Sequence, residues 1–207
     1  MNIGSIVKSV VWIAIIGVGL YIYTSEDDVN EPEIDLVQVL DVTVDTIVKV
    51  AREIDEANAD ESQSDSAFLL LSQELASAYN AEIPPLDPEQ IGVTTPATIG
   101  VLPLKDASLL AYTDSNNSND YEESDKSLFL IEVDGENSRV IATSRAGAVH
   151  DQAFSGTGLL TGFLLGHMLS RQSAAGATRN VASKTRVSPT QARARARAGS
   201  GSHSRGK

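Results

Sequence analysis

The chain contains no cysteine. Disulfides, thiolate metal sites and lipid attachment through a lipobox cysteine are therefore excluded. The complete phosphate-binding motif GxxxxGK[ST] does not occur, and there is no HExxH, GxSxG or CxxC. With these, the motifs that mark phosphoryl transfer, zinc hydrolysis, nucleophilic hydrolysis and dithiol chemistry drop out. The abundant carboxylates stand beside no identifiable partner, so no acid–base pair can be nominated. The chain reads as non-enzymatic and without a cofactor. No acidic residue precedes Glu26 and none follows Asp151. Lys8 is the only charged side chain before Glu26.

What is present is a three-block polymer of 207 residues. All 28 acidic residues lie between Glu26 and Asp151, against six basic ones (Lys49, Arg52, Lys105, Lys126, Arg139 and Arg145), a net charge of −22. From Gln152 onward nine basic residues and no acid give +9. The head, residues 1–24, is apolar. Its 21 residues from Ile3 to Tyr23 would span roughly 31 Å as a helix, the thickness of a bilayer's hydrocarbon core. Lys8 can snorkel to the interface, and Trp12, Tyr21 and Tyr23 lie toward the two ends, where amphipathic rings favour headgroups. A cleaved signal peptide needs small residues after the apolar core, whereas this core runs into Tyr21-Ile22-Tyr23. The expectation is a retained transmembrane anchor in a membrane of bacterial inner-membrane type. Lys8 on the leading side and Glu26-Asp27-Asp28 on the trailing side put the N-terminus in the cytoplasm and the acidic segment outside it.

Residues 25–35 read as an acidic stalk, and 36–151 as an acidic α+β domain. Val37, Leu40, Val44, Ile47, Val48, Ala51 and Ile54 recur at helical spacing. A second helix is expected from Ser64 or Asp65, with Phe68, Leu71, Leu75, Ala78 and Tyr79 as its buried stripe. Five prolines between Pro84 and Pro103 predict a linker with no regular element. Strands are expected at Ala107–Thr113, Ser127–Val133 and Arg139–Ser144, the last two joined by the turn Asp134-Gly135-Glu136-Asn137. They predict a small antiparallel sheet packed on a helical hairpin. The loop Asp114–Asp125 places Asp114, Asn116, Ser118 and Asp120 at the first four ligand positions of a calcium loop. The register then fails, with Asn119 where the turn glycine belongs and Asp125 where the bidentate glutamate belongs. A solvated acidic loop is the favoured reading, and a metal site is not assigned.

Residues 152–170 carry no formal charge and read as a glycine-rich apolar helix. Gly158, Gly162 and Gly166 recur every four residues and would form one stripe for close helix packing. Three readings compete: a second transmembrane span, which is favoured, a membrane-dipping or oligomerising helix, and a buried helix of the acidic domain. His167 reads as a packed or interfacial residue rather than a ligand. Residues 171–207 are rich in Ala, Ser, Gly and Arg and are expected to be a disordered basic tail. Arg193, Arg195 and Arg197 would attract anionic lipid headgroups. Nucleic acid is a less favoured partner, since no aromatic follows Phe163 for base stacking. Docking of the tail onto the acidic domain is a further option.

Strands followed by the segment from Gly156 to Leu169 and a Ser/Gly/Arg tail resemble the layout of some small uncharacterised bacterial envelope proteins encoded near polyamine or glutathionylspermidine enzymes. The resemblance covers residues 125–207 and implies an accessory envelope role with the tail on the outer side. The chain departs from the lipoprotein members in lacking their cysteine. No site residue is carried over. The function expected from the sequence is that of a membrane-anchored structural or interaction protein of the envelope, assembling through the glycine stripe with itself or another membrane protein. Two alternatives stand beside it: a membrane protein of a membrane-containing phage whose basic tail contacts nucleic acid, and a cation-binding envelope sensor.

Overall fold

The computed structural model describes residues 34–57, 63–88, 97–154 and 162–199. The expected anchor and most of the stalk lie outside these residues. Helix α1 (Leu36–Glu56) opens on Asp35, whose carboxylate accepts from the Val37 and Gln38 amides and satisfies two of the free donors at the helix start. Helix α2 (Ser64–Glu82) follows. The hairpin is tied by Gln38, which donates from Nε2 to the Glu82 carbonyl at 2.7 Å. It is tied again by the Thr43 and Tyr79 hydroxyls, 2.6 Å apart inside the core. Strands β1 (Thr98–Pro103), β2 (Leu109–Asp114), β3 (Ser127–Asp134), β4 (Arg139–Ser144) and β5 (Val149–Ala153) form one antiparallel meander in sequence order. Three further helices close the chain: α3 (Phe163–Ala174), α4 (Thr178–Ala182) and α5 (Pro189–Gly199). The α+β class, with an antiparallel sheet, is thus observed.

Period-two alternation sorts the sheet. One face presents Leu109, Ala111, Phe129, Ile131, Val133, Val140 and Ala142 to the α1–α2 hairpin, in a core that includes Leu40, Ile47, Phe68, Leu71, Leu75 and Tyr79. Tyr79 meets Phe129 edge to ring at 5.3 Å. The other face carries Leu110, Tyr112, Glu132, Asp134, Arg139, Ile141 and Asp151.

Several expectations are corrected. The buried arc of α1 runs through Leu36, Val39, Val42, Thr43 and Val50 as well as Leu40, Ile47, Ala51 and Ile54, while Val37 is 51% exposed. Helix α2 is preceded by Gln63 and has no side-chain cap. The proline-rich stretch yields β1, which ends on Pro103, a position at the sheet edge where the missing amide costs nothing. Strand β5 was not expected.

The largest correction concerns residues 152–170, which do not form one helix. Gln152 and Ala153 belong to β5, and α3 begins only at Phe163. Leu164, Leu165 and Met168 are buried in the same core as α1 and α2. Among the described residues no helix is long and apolar enough to cross a membrane. Of the three readings for this block, the buried helix of the domain is the one the fold contains. Nor are residues 171–199 a disordered tail: they finish α3, then form α4 and α5.

Candidate functional site

After α3 the chain turns at Gly176, whose φ of +71° suits a residue without Cβ, and whose amide donates to Ser173 at 3.0 Å. Helix α4 then lies against β3, burying Val181. From there the chain runs as an extended strap over the outer sheet face. Register places Glu132, Ile141 and Asp151 in one row across β3, β4 and β5, with Asp134 and Arg139 in the next. The Lys184 ammonium pairs with the Glu132 carboxylate, and the Arg186 guanidinium with that of Asp151. Arg186 also donates from Nη2 to the Asp151 carbonyl at 2.7 Å, on the open edge of β5. One residue on, Val187 and Val149 exchange two backbone hydrogen bonds of 2.8 and 2.9 Å.

Arg139 is the hub. Its Nε reaches Asp134 Oδ2 at 2.8 Å and its Nη1 reaches Asp151 Oδ2 at 3.4 Å. Its Nη2 donates to the carbonyls of Lys184 (2.8 Å) and Ala182 (3.2 Å), so one guanidinium holds both carboxylates and the strap backbone. Burial pushes the Asp134 carboxyl upward, but hydrogen bonds from Asn137 and Arg139 outweigh it and hold the group below its ordinary range. Asp151 behaves likewise under Arg186 and Arg139. Glu132 goes the other way: burial raises it further than the Lys184 cation lowers it.

Without the strap this face would present Glu132, Asp134 and Asp151 against Arg139 alone. With it, three cations meet three carboxylates. A cationic, extended segment is what such a surface can hold, through side-chain charge and through the free edge of β5. The opposite edge is closed differently: the Asn80 side chain donates to the Ile99 carbonyl and accepts from the Ile99 amide, both at 2.8 Å.

The sequence-expected site residues fall elsewhere. Gly158 lies outside the described residues. Gly162 is the N-cap of α3, and Gly166 is exposed in its first turn with open space where a Cβ would stand. These two do not share a stripe packed against another helix of the domain. Arg193 and Arg195 are exposed on α5; Arg197 belongs to the same helix by backbone, and its side chain lies outside the described atoms. His167 accepts from Arg171 Nε at 2.8 Å and stacks on Phe163. Arg171 also lies over the Phe68 ring and pairs with Asp65. In the Asp114–Asp125 loop the carboxylates serve their own backbone. Asp114 accepts from the Ser118 and Asn119 amides, and Asp125 from that of Glu122. Among the described residues no cluster of three or more His, Asp or Glu is arranged to hold a metal ion.

Sequence reasoning missed the acidic row and its strap. The one available signal was Lys184-Thr185-Arg186-Val187, an alternation of charge, polar and apolar residues that suits an edge-pairing strand. Comparison with known proteins finds no family model, no curated protein and no solved structure that matches the chain.

Proposed function

We propose that the chain is a non-enzymatic, membrane-tethered envelope protein whose acidic α+β domain is an interaction module held outside the cytoplasm. The observation that carries this reading is the run Ile3–Tyr23, interrupted by a single charge at Lys8 and followed by Glu26-Asp27-Asp28. The packing of α3 into the domain core and of the strap onto the sheet supports a single span, with residues 34–199 together on one side. In this arrangement Arg193, Arg195 and Arg197 sit with the domain, and anionic headgroups of the tethering bilayer are the ligands that suit them.

The test is fractionation of the full-length chain, combined with topology reporters fused after Thr24 and after Lys207. The reading expects the chain in the membrane fraction, released only by detergent, with both reporters outside the cytoplasm. Recovery from the soluble fraction without detergent would overturn the tether. A cytoplasmic reporter after Lys207 with an external one after Thr24 would overturn the single-span arrangement.

A further inference from the structure

We infer that the strap is exchangeable, and that the partner the acidic face and β5 edge accept is the strap of a second copy of this chain. The inference deepens the reading of the domain as an interaction module by naming the partner, and its test does not require the tether.

Three observations converge. First, the strap adds little to the core: among the described residues beyond α3 the buried apolar side chains are Val181, Val187 and Ala192, of which Val187 and Ala192 join the core cluster. Second, α4, which leads into the strap, joins α3 at Ala174-Ala175-Gly176, all exposed, and a Cβ at Gly176 would meet open space. That bend is a place where the chain can swing, withdrawing the small apolar side chains of Val181, Val187 and Ala192, which an exchanged copy would return to the same places. Third, the contacts between strap and sheet are chemically complete and repeatable. Lys184 finds Glu132, Arg186 finds both the carboxylate and the carbonyl of Asp151, and Val187 pairs with Val149. A second copy presents the same three residues in the same order, so an exchanged strap satisfies every group that the resident strap satisfies. The β1 edge is closed by Asn80 and ends on Pro103, which leaves β5 as the edge where a strand can be added. Copies tethered in one bilayer would also meet at raised effective concentration.

The absence of native cysteine makes the test clean. Val149 and Val187 form a hydrogen-bonded antiparallel pair, whose Cα atoms ordinarily stand about 5.5 Å apart, within disulfide range. Full-length V149C/V187C in detergent should form an intrachain bond on oxidation, which shows that the strap occupies β5. Full-length V149C and V187C, mixed, briefly exposed to about 1 M salt to loosen the ion pairs and returned to low salt, should give an interchain dimer several-fold above either variant alone. A second pair of variants tests the charges. E132K and K184E each break the pair within one chain, but mixed copies restore both pairs only by exchanging straps, so they should form a heterodimer that neither forms alone. An intrachain bond in the double variant with no excess dimer in either mixture would overturn the exchange. Failure of the intrachain bond itself would overturn the placement of the strap on β5. Loss of membrane association with these cross-links intact would instead sink the tether and leave the exchange standing.

Discussion

Replacing Arg139 by methionine keeps the aliphatic stem and removes the guanidinium that joins the sheet to the strap. Asp134, whose side chain is 1% exposed, would keep two hydrogen bonds from Asn137 but lose the Arg139 cation. Breaking a buried ion pair from one side costs about 3–5 kcal/mol. The Asn137 bonds, and the 15% exposure of Arg139, reduce that to about 2–3 kcal/mol here. The carbonyls of Ala182 and Lys184 lose their donor as well, at about 0.5–1 kcal/mol each where water does not replace it. The expected loss for R139M is therefore about 3–5 kcal/mol, nearer the lower figure where water reaches the carbonyls, read from urea unfolding midpoints of the full-length chain in detergent. The acid limb supplies a second readout. A carboxyl held below its ordinary range contributes stability that is present above the unfolded value, near pH 4, and is lost as pH falls through the folded one. In R139M burial acts against fewer opposing bonds, so this limb should flatten. R139K, which keeps charge but not the planar fork, should lie between. A loss below about 1 kcal/mol with an unchanged acid limb would refute the assignment of Arg139 as hub, and additivity of R139M with D134N in a double-mutant cycle would do so independently.

Three other outcomes follow from single contacts. Alanine at Gly100 would put its Cβ 2.3 Å from Tyr112 Cζ, and Tyr112 is buried edge-on against Tyr121, so G100A should lower stability by about 1–3 kcal/mol and change the near-UV tyrosine signal. E132Q tests the opposite pH sign: a carboxyl raised by burial contributes stability that is fully present below its unfolded value and lost as pH rises through the higher folded one, so the advantage of the parent over E132Q should grow as pH falls from neutrality toward about 4 in paired urea titrations. G166A should stabilise α3 by about 0.5–1 kcal/mol, because its Cβ meets open space on a helix; a fall in oligomer size on size-exclusion chromatography would show instead that Gly166 seats another helix.

The helical hairpin and the strands Ser127–Asp134 and Arg139–Ser144 were legible because their apolar residues repeat at the period of their element. The face of α1 was not. Its valines at 37, 39, 42, 44, 48 and 50 encircle the helix, and contacts with α2, β4, β5 and α3 decide which arc is buried. Strand β5 was hidden because Val-His-Asp-Gln-Ala holds its place by pairing: Gln152 donates to Asp41 of α1, and Asp151 meets two arginines. Helices α4 and α5 were read as disorder from low apolar content. Alanine and arginine are nonetheless strong helix formers, and among the described side chains of α5 a small one, Ala192, supplies the buried contact. Of the candidate site almost nothing was legible, since Lys184 and Glu132 are 52 residues apart and no spacing announces their meeting.

The docking of residues 171–199 onto the domain, where the sequence predicts a disordered tail, has a general cause. A block of −22 followed by a block of +9 invites a topological explanation, because loops rich in Lys and Arg are retained on the cytoplasmic side of a membrane. Opposite blocks on one chain also attract each other, and the choice turns on whether apolar residues between them are needed by lipid or by a core. Here Leu164, Leu165 and Met168 fill a core that the two helices and the sheet leave open, and that burial fixes α3 on the domain. Once α3 is fixed, Lys184 and Arg186 stand within reach of Glu132 and Asp151, and docking requires ordering only a short strap. Charge segregation along a sequence therefore reports membrane sidedness only when the segment between the blocks has no competing place in the fold.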